Sequence, residues 1–172
     1  MGKSVRFNGR KFRELLLYVA QRSQTDPRFG ATKLNKVLYY ADFAAFRILG
    51  SPITGAKYRR LQEGPVPRQL VDQRDRLVAE EKAHVEKKEY YSGFQQRLVS
   101  DEEPDLGVFS QAEMSIIDEV IDDLWHLDAR GVSDRSHREA GWMAAKERED
   151  IPYHTAWVSS APITPEEQEF GH

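Results

Sequence analysis

A chain of 172 residues with 40% hydrophobic and 31% charged side chains has the material for one ordinary domain with a buried core, which excludes a largely disordered protein. It contains no cysteine, so disulfide scaffolds, thiol nucleophiles, zinc–thiolate sites and iron–sulfur clusters are excluded too. The net charge of −3 hides a division: the first 100 residues carry 20 lysines and arginines against 10 acids, and the rest carry 5 against 18.

Such polarity suits an acidic partner or head-to-tail self-association; equally, the two halves neutralise each other across the fold. The N-terminus, MGKSVRFNGR, lacks the apolar stretch of a secretory signal. The most apolar run, Val37 to Leu49, is interrupted by Asp42 and Arg47 and is too short to span a bilayer. A soluble, cytoplasmic protein with no membrane partner is the expectation.

The spacing predicts a first helix from Gly9 to about Ser23. Asn8 is a fitting N-cap, Phe7 and Phe12 stand at hydrophobic-staple spacing, and Phe12, Leu15, Leu16 and Val19 make one apolar stripe. After a polar loop, a second helix opens at Thr32 and closes before Gly50. Apolar residues from Leu34 to Ile48 and Leu49 cover much of its circumference, which marks it as the core helix. Ile53 to Leu61 reads as a short strand. Gly64-Pro65-Val66-Pro67 is expected to stop that strand and start a helix with Val66, Leu70, Leu77 and Val78 inward, and with Arg68–Asp72 and Asp72–Arg76 pairs outside.

Val85 to Tyr91 and Phe94 to Val99 flank Ser92-Gly93, a hairpin signal that sets Tyr91 opposite Phe94. An acidic loop, Asp101 to Asp105, precedes a Ser110/Glu113 capping box and a helix striped by Met114, Ile117, Ile121 and Leu124. A shorter helix spans about Val132 to Glu139, followed by Gly141-Trp142, and His137 and Trp142 are expected to join it to the core. Ser159 to His172 reads as a flexible tail after a single domain over 1–158. The sum is an α+β fold, mostly α-helical, with about five or six helices around a central apolar one and a small antiparallel sheet or hairpin.

Chemical motifs are few. His84, His126, His137, His154 and His172 show neither HExxH nor i, i+4 spacing. His126 with Asp128, or His137 with Glu139, could join a metal site, but residues two apart on a helix diverge, and a boundary histidine is the simpler reading. GxSxG, Walker-type and GxGxxG sequences are absent, so no catalytic residue, metal or cofactor is assigned. Asp42, a carboxylate in an apolar helix, reads either as a buried acid of raised pKa or as the structural partner of a basic neighbour. The structural reading leads, and the chain is expected not to be an enzyme.

Lys57, Tyr58, Arg59 and Arg60, with Arg68 nearby, form the candidate partner-binding surface, since arginine and tyrosine dominate interface hot spots. On a strand, Lys57 and Arg59 share one face and Tyr58 and Arg60 the other; the alternative is that Tyr58 packs into the core. Neither a helix-turn-helix nor an RNA-recognition signature accompanies these residues, and a pI near 6.0 speaks against nucleic acid.

The run Thr32-Lys33-Leu34-Asn35-Lys36-Val37-Leu38-Tyr39-Tyr40-Ala41-Asp42 resembles the KLxKLLYYA helix of the Panacea domain, also called the SocA-like antitoxin domain. Gly64-Pro65-Val66-Pro67 resembles that family's GPV turn into a helix. Val132-Ser133-Asp134-Arg135-Ser136-His137-Arg138-Glu139 with Gly141-Trp142 resembles its LSxxSHxE…W ending. The chain departs at Glu63, where members often carry an aromatic before GPV, and this alters the adjoining pocket. The resemblance implies a mostly helical bacterial or phage antitoxin, acting in phage defence, that silences a cognate toxin by direct protein contact. It implies no catalytic residues, leaves a protease or chaperone system open as a further partner, and does not name the toxin. Two other classes stand beside it: a nucleic-acid-binding regulator using the basic first half, and a hydrolase built on Asp42 or His137.

Overall fold

Asn8 caps the first helix as its spacing predicts. In the computed structural model, which describes residues 5–90 and 93–158, its side chain accepts from the Lys11 amide and opens α1 (Gly9–Arg22). Phe7 meets Phe12 edge-on with 5.6 Å between ring centroids, completing the staple. Phe12, Leu15, Leu16 and Val19 are fully buried. α2 (Ala31–Leu49) ends at Gly50, whose φ of +84° suits glycine.

α2 is central, as expected. It packs against the later helix pair, against the strand at Gly64–Pro67 and against a 3₁₀ turn at Tyr153–Val158. Its burial stops earlier than expected, at Phe46, which stacks against Tyr153 and Trp157; Ile48 and Leu49 beyond it are exposed.

The middle of the chain departs from the local reading. The strand starts late: β1 is Tyr58–Leu61, because Asp42 draws the backbone and side chain of Thr54 onto α2. Gly64–Pro67 opens no helix. It is β2, antiparallel to β1 in a register running from Tyr58↔Pro67 to Leu61↔Gly64. Two prolines are tolerated there because β2 is an edge strand with no second ladder to donate to. In α3 (Leu70–Ala79), Leu70 and Leu77 are buried but Val78 is exposed, and Val66 is half-buried in β2. Arg68, lying before the helix, pairs with Asp150, and Arg76 pairs with Glu80.

β3 (Ala83–Tyr90) and β4 (Gly93–Ser100) make the expected hairpin, as a second two-stranded sheet. Its register differs: Phe94 stands opposite Glu89 and Gly93 opposite Tyr90. The base sets this register, where Ala83 and Leu98 both reach the core. Tyr91 and Ser92, on which the expected turn pair rested, lie outside the described residues, as does 159–172.

Ser110 and Glu113 form a complete capping box on α4 (Gln111–Leu124), with Ile117, Ile121 and Leu124 buried. Asp128 caps α5 (Ala129–Ser136), so this helix starts before Val132, and a separate α6 (Ala140–Ala144) carries Gly141 and Trp142. The architecture is α+β and mostly helical. The two charged halves meet across it: Lys11 donates to both Glu113 oxygens at 2.8 and 2.9 Å, and Arg22 bridges Asp118 and Asp122. Arg10–Asp105 and Arg68–Asp150 add to this, so mutual neutralisation absorbs part of the asymmetry.

Candidate functional site

Between β1 and β2 the chain turns over residues 61–65, and side chains from distant parts of the sequence hold its backbone. Trp142 Nε1 donates to the Leu61 carbonyl at 3.1 Å. His137 Nε2 lies 2.8 Å from the Gln62 carbonyl oxygen, which only accepts, so that nitrogen carries the proton. Ser133 Oγ donates to the Glu63 carbonyl at 2.7 Å, and Lys36 Nζ to that of Pro65 at 3.1 Å. The beginning of α2, the Gly-Pro turn and the Ser-His-Trp segment are therefore one structure.

Glycine is required at the centre of this turn. Gly64 has φ +115°, and a β-carbon there would stand 2.3 Å from Ser136 Oγ and 2.4 Å from Lys36 Cε. Ser136 Oγ in turn donates to the Ser133 carbonyl. Lys36 is fully buried, and burial pushes its ammonium down to about 8, with the Glu63 carboxylate acting in the opposite sense.

Trp142 is held on its faces as well as at its nitrogen. Its ring stacks on His137 with 4.2 Å between centroids, and the Arg60 guanidinium lies 3.8 Å from its centre. Arg60 also donates to the carbonyls of Trp142 at 3.2 Å and Ala145 at 2.7 Å. Close by, Tyr40 donates to Glu139 at 3.3 Å, and Arg135 lies over the Tyr40 ring.

The structure divides the residues expected to form a partner surface. Tyr58 belongs to the core: it is buried, and its hydroxyl donates to Asp42 at 2.7 Å, because the period of two sends it toward α2. Arg60 is spent on Trp142. Lys57 is exposed, Arg59 is half-buried, and Arg68 holds Asp150 at 2.6 Å. The outer edge of β1 is closed by the chain itself. Arg60 N donates to the Glu149 carbonyl, Arg148 N to Arg60 and Ile151 N to Tyr58.

Asp42 is wholly buried and accepts from the Thr54 amide at 2.7 Å, Thr54 Oγ1 at 2.5 Å and the Tyr58 hydroxyl. Burial raises its pKa against these donors. No basic side chain pairs with it among the described residues, so the expected cationic partner is replaced by hydroxyl and amide donors. That bonding ties α2 to the segment entering β1. Lys36 escaped the sequence reading, although a signal existed: Lys33, Lys36 and Tyr40 share one helical face, and both lysines are buried. Lys33 is satisfied by Asp26 at 2.6 Å and the Trp125 carbonyl at 2.8 Å.

Among the described residues no three histidines or acids gather to hold a metal ion, and no helix is long and apolar enough to cross a membrane. A family model described as "Antitoxin SocA-like, Panacea domain" matches residues 34–143, more than half of the chain and the span that contains every donor and acceptor of the clamped turn. No curated protein and no solved structure matches.

Proposed function

The chain belongs to the SocA-like antitoxin family, whose Panacea domain it carries, and from that premise we propose that it neutralises a protein toxin by binding it directly. The observation that supports this reading is how the motif side chains are used. A lysine, a serine and a histidine, each capable of chemistry, spend their polar atoms on backbone carbonyls of residues 61–65. They fix a surface turn in advance, which lowers the ordering cost of binding a partner.

In this reading the protein is a cytoplasmic, non-enzymatic binder that acts in phage defence. Lys57 and Arg59, at and near the base of β1, meet acidic groups of the toxin, while Arg68 keeps Asp150. Arg10, Lys11, Arg22 and Arg68 of the basic half are already paired with acids of the other half, which weakens the case for a nucleic-acid phosphate backbone as partner.

Expression of the protein encoded by the adjoining gene, alone and together with this chain, tests the proposal. Growth arrest relieved by this chain, with co-elution of the purified pair, is the expected result. Lys57→Glu, still folded, should slow association and weaken its salt dependence. Toxicity that persists with the folded wild-type chain, or relief without complex formation, would overturn it.

A further inference from the structure

Resting on that reading, we propose that the clamped turn itself reads the toxin: Gln62 and Glu63 are its specificity contacts, and the toxin meets Glu63 with an arginine or lysine. The carbonyls of Leu61, Gln62, Glu63 and Pro65 are all taken by side-chain donors from α2, α5 and α6. What the turn still offers outward is the side chains of Gln62 and Glu63, both exposed. The Glu63 carboxylate makes no ion pair among the described residues; the charge it acts upon is that of buried Lys36, which a partner cannot touch.

An exposed turn with two polar side chains has little need of four tertiary hydrogen bonds to stay folded, since water would satisfy the same carbonyls. Fixing it instead gives Gln62 and Glu63 a defined position before contact, where binding costs little backbone entropy. The hairpin also has an electrical direction. The exposed Lys57 stands at its base, next to the Arg68–Asp150 pair, and Glu63 marks its tip. Strands of four residues separate base and tip by about 13 Å, at roughly 3.3 Å per residue. The partner that fits carries a basic group opposite the tip and an acidic group the same distance away, opposite Lys57, so the charges fix its orientation as well as its approach.

The test uses the full chain and, as probe, the protein encoded by the adjoining gene. Association rates are measured for wild type, Glu63→Gln and Glu63→Arg at several salt concentrations, with a thermal melt of each. Glu63→Arg should associate about tenfold more slowly and Glu63→Gln by a smaller factor, both with a shallower salt dependence, Glu63→Gln melting closer to wild type than Glu63→Arg, which sets a second cation near Lys36. If Glu63→Arg folds and associates like wild type, the inference falls while toxin binding stands. If Glu63→Arg melts low, the isosteric Glu63→Gln decides: an unchanged rate and salt slope overturn the inference. Absence of binding by the wild-type chain brings down both this inference and the proposed function.

Discussion

Lys36 and Gly64 are fitted to one another: the ε-carbon of the lysine lies 2.4 Å from where a β-carbon on the glycine would stand. The amine reaches past Gly64 to the Pro65 carbonyl, so helix and turn are locked through a residue that has no side chain.

Gly64→Ala should therefore be among the costliest single-methyl changes in the chain. Positive φ costs a non-glycine residue about 1–3 kcal/mol, and the collisions with Lys36 and Ser136 add to that. Gly93→Ala is the control, since Gly93 also has positive φ but nothing within 4 Å of its β-position. Urea midpoints should fall further for Gly64→Ala than for Gly93→Ala; equal losses would show that the packing against Lys36 carries no weight.

Removing Trp142 should unpin the turn from α6. Trp142→Ala forfeits the contacts with Arg60 and His137 and the bond to Leu61, for an expected loss of about 3 kcal/mol. Trp142→Phe keeps a ring and should lose about 1 kcal/mol, the worth of the hydrogen bond. Thermal melts separate the two. A Trp142→Ala chain that melts like wild type yet fails to bind would make this residue part of the interface.

Burial of Lys36 has a signature in pH. Its pKa falls from 10.5 unfolded to about 8 folded, so between these values the unfolded chain binds more protons and stability rises with pH. The gain from Lys36 approaches about 3 kcal/mol across that window. Above pH 10 the trend reverses, because burial raises the pKa values of Tyr39, Tyr40 and Tyr153 and the unfolded tyrosines lose their protons first. Urea midpoints should therefore rise from pH 8 toward pH 10, and Lys36→Met should flatten the rise. An equal slope in Lys36→Met would assign the effect to another group.

What the sequence discloses depends on how far apart the interacting residues are. The Asn8 cap and the Ser110/Glu113 box are written within a few residues and appear in the structure as read, and α2 follows its helical period as far as Phe46, beyond which Ile48 and Leu49 are exposed. The Gly-Pro segment reads locally as a helix start and is instead an edge strand, because proline suits both. Pairing with β1 and the left-handed Gly64 decide the matter. Tyr58 alternates inward only once its partner Asp42, 16 residues earlier, is known to lie beneath it. The clamp was least visible of all. Ser133 reaches across 70 residues to Glu63 and Trp142 across 81 to Leu61, and no local pattern encodes such bonds. Family motifs marked the participants without saying what they touch.

The same separations put a clock on the molecule as it is made. The acceptors at 61–63 leave the ribosome well before their donors, 70 to 81 residues later. At about 5–20 residues per second, that interval is about 4–16 s. During it the hairpin holds Lys36 as its sole clamp donor, and Gln62 and Glu63 sit on a backbone that three of its four donors have yet to reach. If the held turn is the toxin-reading element proposed above, a half-synthesised chain is a poor ligand, and the turn is complete only once α6 has emerged and Trp142 meets Leu61.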